Sequence, residues 1–184
     1  MLGQLGSFLV DTVVTFFVVL AVARFLLQWL RVSFHNQVGE FVVLTTNWFV
    51  KPARKVIPAV AGLDAASIAC AWLLQLAGLW LHAMIAGGDR ALLALCAVAL
   101  IELLRYAIYI LVFSVIMQVV FSWVNPYAPL APVFDSITRP FLRPIRKLIP
   151  PIGSIDLSPA VFFILLQLVL IAVNYLSFAA AGIG

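Results

Sequence analysis

The chain has 184 residues, of which 65% are hydrophobic and only 10% are charged, and its formal net charge is +4. This composition lies outside the range of soluble domains and predicts a membrane protein with room for about four spanning helices. A large soluble domain does not fit beside them. The small net positive charge is concentrated in two segments of the chain. This distribution argues against nucleic acid as a partner and favours an anionic membrane surface.

The first apolar stretch, residues 7–30, is long enough to form a spanning helix. Arg24 lies about two turns before its end, so we expect its long side chain to reach the aqueous interface, with a buried polar contact as the alternative. No basic region precedes the apolar run, and Asp11 interrupts it. We therefore expect this span to be retained and not cleaved as a signal peptide.

A basic, proline-containing segment follows and occurs twice, at residues 51–64 and 143–156, with an offset of 92. Both copies read basic-Pro-x-Arg-Lys-x-Ile-Pro, with Asp six residues after the second Pro. Upstream, the register slips by two or three residues. So clear a duplication predicts two copies of one structural unit. The shared motif positions are Pro52, Pro58 and Asp64 in the first copy, and Pro144, Pro150 and Asp156 in the second.

The segments around these motifs are too interrupted to span a bilayer, but apolar side chains recur on one side of each. We expect an amphipathic segment in the membrane interface in both copies. Pro140 and Pro144 each remove a backbone donor, which predicts two short helical pieces with a bend instead of one helix. The apolar positions are Phe41, Val42, Leu44, Trp48 and Phe49 in the first copy, and Phe134, Ile137, Phe141, Ile145 and Leu148 in the second.

Two further apolar stretches, residues 64–86 and 157–180, predict the second and fourth spans. Asp64 and Asp156 stand at their starts, where an acidic side chain is favoured by free backbone N–H groups and by the helix dipole. In the second copy Ser158 is the expected cap. From the sequence alone, helix capping is a sufficient explanation of both aspartates.

The third apolar run, residues 91–124, is too long for one simple span, since a helix of that length would reach about 50 Å against about 30 Å of hydrocarbon. We place the span from about Arg105 onward, which leaves residues 91–101 as an outer-surface segment or an overlong helix end. Glu102 and Arg105 can pair on one helix face. A proton or ion site is the sharper alternative, and with Arg24 they are the candidate intramembrane polar residues.

Lysine and arginine are concentrated in segments 31–60 and 125–156. The positive-inside rule therefore places both segments in the cytoplasm and both termini outside. Each repeat contributes two spans, so the copies face the same way, as in parallel repeats. We predict an all-α membrane protein of four transmembrane helices in two parallel pseudo-repeats, residues 1–90 and 91–184, each with an amphipathic interfacial segment.

Several motifs make the chain resemble the YggT family of small bacterial integral membrane proteins, which has relatives in plastids. They are the paired P-x-R-K-x-I-P segments at 52–58 and 144–150, S-I-D-L-S-P at 154–159, and S-W-V-N-P at 122–126. The resemblance covers essentially the whole chain as two tandem family units. The first copy departs from the pattern, with Asn36-Gln37 in place of Asn-Pro and Ala66-Ser67 in place of Ser-Pro.

The resemblance implies a multi-pass protein of the bacterial inner membrane. Bacterial members of the family are associated with osmotic tolerance and cation homeostasis, or with cell division and envelope organisation. Plastid members are associated with haem attachment to a cytochrome and with nucleoid distribution. No catalytic residues are established for the family as a whole.

No pattern of a catalytic nucleophile, a paired acid and base, or a metal cluster is visible in the sequence, so we expect neither an enzyme nor a cofactor. We favour a membrane scaffold or assembly factor that binds anionic lipid and either an unidentified membrane protein or a second copy of the chain. The alternative is an oligomeric channel or transporter-like protein in osmotic or cation homeostasis. The residues expected to bind lipid or partner are Lys51, Arg54, Lys55, Arg143, Arg146 and Lys147.

Overall fold

The computed structural model describes residues 2–57, 64–86, 91–149 and 156–181, and the regular structure in these ranges is helical. Pro58 and Pro150 of the repeated motif lie outside them. The helices are α1 (Leu2–Trp29), α2 (Gln37–Val56), α3 (Ala65–Ala86), α4 (Leu92–Val124), α5 (Ala131–Leu148) and α6 (Ser158–Ala180).

Four of these helices, α1, α3, α4 and α6, are long and apolar enough to cross a membrane. The predicted all-α membrane protein with four spans is therefore confirmed. Helix α4 runs without interruption for 33 residues, about 50 Å. Of the two readings of residues 91–101, the structure shows the overlong helix end.

The two halves repeat the same packing pattern. Helix α1 packs on α2 and α3, and α4 packs on α5 and α6, while α2 contacts α3 as α5 contacts α6. The halves meet where α4 contacts α1 and α3. The division of the chain at residue 90 stays a prediction, because residues 87–90 are outside the described ranges.

Helices α1 and α4 run in the same direction. Val18 shares an apolar cluster with Leu103, and Leu27, further along α1, shares the next cluster with Val115. Because α3 and α6 return antiparallel to them, α2 and α5 lie at one end of the bundle, as parallel repeats require. We call this end the basic end, since the last turns of α2 and α5 carry the repeated Lys and Arg residues.

Helix α5 is a single helix although Pro140 and Pro144 lie inside it, and α2 is likewise continuous through Pro52. The expectation of two short pieces in the second copy was therefore wrong. Pro140 and Pro144 are four residues apart on one exposed face, so the carbonyls that they leave unpaired can be hydrated. Burial of the opposite face, including Thr138 and Leu142, holds the helix against its neighbours.

The buried face of α2 consists mainly of small and β-branched residues, Gly39, Val42, Thr46 and Val50. A Cβ added at Gly39 would lie 2.7 Å from Cα of Phe34, so this helix approaches the preceding chain closely. Of the apolar side predicted for α2, Val42 is buried, Phe49 is half-buried, and Phe41, Leu44 and Trp48 are exposed. In α5, Phe134, Ile137 and Ile145 are buried, Phe141 is half-buried and Leu148 is exposed.

Candidate functional site at the basic end

The arginine and the aspartate of the repeated motif form an ion pair within each repeat. Arg54 Nε donates to Asp64 Oδ1 at 3.1 Å, and its Nη2 donates to Oδ2. Arg146 Nε donates to Asp156 Oδ2 at 2.8 Å. Each pair, which we call the Arg–Asp clasp, ties the last turn of α2 or α5 to the residues that open the following span. Such charge-assisted bonds are the strong class of hydrogen bond.

The clasps were not predicted, although the sequence carried a signal for them. Arg and Asp recur ten residues apart in both copies, at 54 and 64 and at 146 and 156. The aspartates were interpreted as caps alone. Asp156 does accept a hydrogen bond from the Ser158 backbone N–H at 2.9 Å. The expected cap Ser158 is instead the first residue of α6 itself.

The clasp of the first repeat is closed by a buried arginine from α1. Arg24 has only 4% of its side chain exposed, and its Nε lies 3.5 Å from Asp64 Oδ2. Its Nη1 donates to Thr46 Oγ1 at 2.8 Å and to Asn47 Oδ1 at 3.1 Å. The expectation that Arg24 reaches the interface was therefore wrong. Acceptors from α2 and the start of α3 surround its guanidinium, which makes burial tolerable.

The protonation of Asp64 follows from these contacts. Burial alone would raise the pKa of its carboxyl, but hydrogen bonds from Arg54 and Ser67, with the positive charges of Arg54 and Arg24, lower the pKa overall. At Asp156 burial also acts to raise the pKa, and hydrogen bonds from Ser158 and Arg146 lower it overall. Both aspartates are therefore held in the charged form that the clasps need.

We expect the protein to lose stability in acid. A carboxyl whose pKa is lower in the folded state stabilises the fold above its ordinary pKa of about 3.9, and this contribution is lost as the pH falls through the native value. Thermal unfolding in detergent, followed by circular dichroism, should show a falling midpoint below about pH 4. Asp64→Asn should flatten this dependence. A wild-type midpoint that is constant or rises in that range would contradict the expectation.

The clasp of the second repeat is more exposed to solvent than that of the first and lines a cavity. We call it the open clasp, and that of the first repeat the closed clasp. Asp156 is 32% exposed, compared with 2% for Asp64. The cavity has a volume of about 450 Å³ and is lined by Gln118, Val119, Ser122, Trp123, Arg146, Asp156 and Pro159. An adjoining cavity of about 480 Å³ shares Gln118, Ser122 and Arg146 with it and adds Asp135 and Arg139.

A polar network from α4 and α5 forms the wall of these cavities. Thr138, the equivalent of Thr46, donates to Gln118 Oε1 at 2.7 Å. Gln118 Nε2 donates in turn to Asp135 Oδ1 at 3.2 Å, and Asp135 forms an ion pair with Arg139. The ionic groups of the two cavities are thus two arginines and two aspartates, joined in pairs.

The two repeats differ at the position of Arg24, which joins the clasp in the first repeat. With the upstream slip in register, Arg24 corresponds to Ser114. Ser114 is buried, but its short side chain bonds to the carbonyl of Ile110 at 2.7 Å and does not reach the clasp. The first repeat therefore has a third charged group in its clasp, and the second has a serine at the corresponding position.

The other predicted site residues fall into separate places. Lys51, Lys55, Arg143 and Lys147 are exposed on α2 and α5. Glu102 and Arg105 form an ion pair at 2.9 Å on α4, and Ser177 of α6 lies 3.5 Å from Glu102. Arg24 belongs to the clasp of the first repeat, so the structure does not bring it together with this pair. Within the described ranges, no group of three or more His, Cys, Asp or Glu could hold a metal ion.

The fold and its paired clasps define a small multi-pass membrane protein built from two equivalent three-helix units. The family model described as CCB3/YggT matches residues 4–85 and again residues 97–177. The chain belongs to the CCB3/YggT family, and the predicted two tandem family units are confirmed.

Relatives in several bacteria align over most of their length. An uncharacterized protein of Pseudomonas aeruginosa is 32% identical over 181 residues, which covers 96% of this chain and 92% of the relative. The uncharacterized protein YggT of Escherichia coli K12 is 32% identical over 165 residues, with 89% and 86% covered. An uncharacterized protein in the proC 3′ region of Vibrio alginolyticus is 31% identical over 164 residues, with 88% and 89% covered. No solved structure matches the chain.

Proposed function

We propose that this protein is a non-enzymatic scaffold or assembly factor of the bacterial inner membrane, in envelope or cell-division organisation, with its basic end in the cytoplasm. The excess of Lys and Arg at that end supports the orientation. The exposed cations of α2 and α5 hold anionic lipid headgroups and present a docking face to a partner protein. The polar contacts of the clasps join helices to one another, which supports a structural role over a catalytic one.

This proposal rests on a difference within the repeated motif. Its arginine is ion-paired, and within the described ranges the basic residues beside it are not. Arg54 and Arg146 are partly exposed but bonded within their clasps, whereas the adjacent Lys55 and Lys147 are exposed and form no ion pair with a described residue. Each clasp fixes the end of its helix, so the exposed cations occupy set positions. A cation close to an anionic membrane surface contributes about 1 kcal/mol. Four of them can therefore hold headgroups at this end without disturbing the fold.

Replacing the exposed cations Lys51, Lys55, Arg143 and Lys147 by Gln is expected to lower the retention of phosphatidylglycerol and cardiolipin by about tenfold or more. Folding should persist, because both clasps remain intact. Lipids that stay bound are counted by native mass spectrometry of the purified protein. Partner recovery is measured by crosslinking in native membranes before solubilisation.

A charge-conserving variant, in which the two lysines of α2 become Arg and Arg143 and Lys147 exchange type, is the matched control and should behave as the wild type. Accessibility of a cysteine placed at Ser136, in a background without the native cysteines, checks that orientation is unchanged. If the Gln variant keeps its lipids, partner and phenotype, the charges serve only as a topology signal and the proposal fails.

The alternative is an oligomeric channel or transporter-like protein in osmotic or cation homeostasis. The observation that favours it is the Glu102–Arg105 pair inside the spanning helix α4. Four helices enclose a pore only in an oligomer, so the state of the purified sample separates the two functions. A homo-oligomer that conducts ions in liposomes supports the channel, and a defined complex with another protein supports the scaffold.

A further inference from the structure

The position of the second repeat's cavity along α4 indicates the depth of lipid headgroups. Its α4 wall, from Gln118 to Trp123, belongs to the last two turns of that spanning helix, and Trp123 is 82% exposed. Tryptophan in such a place is typical of the membrane–water interface. The volume of about 450 Å³ falls within the usual range of small-molecule sites. A lipid headgroup can therefore enter without opening the bundle.

The charge of the cavity wall selects against a simple anion. Arg146 is paired with Asp156, so the ionic groups that line this cavity sum to zero formal charge. A ligand that carries only phosphate would face the carboxylate of Asp156 as well as Arg146. A ligand that carries a phosphate and an ammonium can satisfy both signs at once.

We propose that this cavity binds the headgroup of an aminophospholipid of the phosphatidylethanolamine class. The phosphate accepts hydrogen bonds from Arg146, which has five N–H donors and can keep its bond to Asp156 through Nε. The primary ammonium donates to Asp156 and Ser122. Val119 and Pro159 contact the glycerol region. This site goes beyond the proposed function and does not rest on it, because it uses the open clasp and not the exposed cations.

We assign the headgroup site to the second repeat alone. In the first repeat the guanidinium of Arg24 already lies beside Asp64 and Thr46, in the place that the ligand's ammonium takes beside Asp156. In the second repeat the corresponding residue is Ser114, whose side chain bonds to the carbonyl of Ile110 and carries no charge. One binding event for each chain is therefore expected.

The test uses the full chain in mixed micelles that contain equal amounts of phosphatidylethanolamine and phosphatidylcholine with the same acyl chains. Both lipids carry the phosphate, but the quaternary ammonium of phosphatidylcholine has no N–H to donate. Native mass spectrometry should show one phosphatidylethanolamine retained about tenfold over phosphatidylcholine, the size expected for a hydrogen bond between charged groups. Equal retention of the two lipids would overturn the proposal.

Asp156→Asn is expected to abolish this preference and bring the ratio of the two retained lipids to about one. Glu40→Gln removes an exposed acid on α2 and should leave the preference unchanged. Ser122→Leu fills the cavity without touching either clasp, so it should remove the retained lipid even if Asp156→Asn fails to fold. A folded Asp156→Asn protein with the wild-type preference, or a Ser122→Leu protein that still retains the lipid, would contradict the assignment.

The same headgroup chemistry occurs in a soluble phosphodiester, glycerophosphoethanolamine. If this compound binds the wild type as tightly as the lipid does, the lipid assignment fails. The variant without the four exposed cations should lose phosphatidylglycerol but keep the phosphatidylethanolamine preference. Failure of the proposed function and failure of this site are therefore distinguishable in one set of samples.

Discussion

Asp64→Asn is expected to lower the free energy of unfolding by about 3–5 kcal/mol, the usual cost of removing one partner from a buried ion pair. Asp64 is 2% exposed and is shared between Arg54 and the buried Arg24. Without the carboxylate charge, the guanidinium of Arg24 stays buried without a counterion. The same substitution at the equivalent Asp156 should cost about 1 kcal/mol or less, because its clasp is partly exposed and screened.

Denaturant unfolding of both variants and the wild type in one detergent measures this contrast between equivalent positions. Adding Arg24→Met to Asp64→Asn should recover part of the loss, since the double variant no longer contains an uncompensated charge. Equal losses at positions 64 and 156 would show that burial does not distinguish the two clasps. A loss at Asp64 of less than about 1 kcal/mol would show that Arg24 is hydrated in solution.

The spans and the repeat could be read from the sequence because they depend on local properties. The length of an apolar run decides whether it can cross a bilayer, and the repeated motif shows directly that one unit occurs twice. The continuity of helix α5 could not be predicted from local properties. Its prolines argue locally for a break, and only the packing of its other face against α4 and α6 outweighs them.

The candidate site was predicted only in part, because its character depends on contacts between distant residues. Arg24 is buried since Thr46 and Asp64, 22 and 40 positions further along, surround it with acceptors. Judged only from its position near the end of the first apolar run, Arg24 is expected to reach the interface. The second repeat has Ser114 in place of this arginine, and the slip in register upstream of the motif conceals that exchange.

Gly78→Leu is expected to destabilise the contact between α1 and α3 by about 1–3 kcal/mol, the usual cost of overpacking. A Cβ built at Gly78 would lie 2.8 Å from Val14 Cγ1, closer than real contacts allow. Small residues permit such close approach of spanning helices. The equivalent residue in the second repeat is Leu170, which is buried, so the α4–α6 contact is built around a large side chain where the α1–α3 contact is not.

Gly6→Leu is the matched control, because nothing lies within 4 Å of a Cβ built at Gly6. Both substitutions replace a helical glycine by leucine, which by itself favours the helix by about 0.5–1 kcal/mol. The difference between the two variants in thermal unfolding therefore isolates the packing at Val14. Gly78→Ala should fall between them, since only the end of the Val14 side chain has to move. If Gly78→Leu is as stable as Gly6→Leu, the close approach of α1 and α3 does not hold the first repeat together.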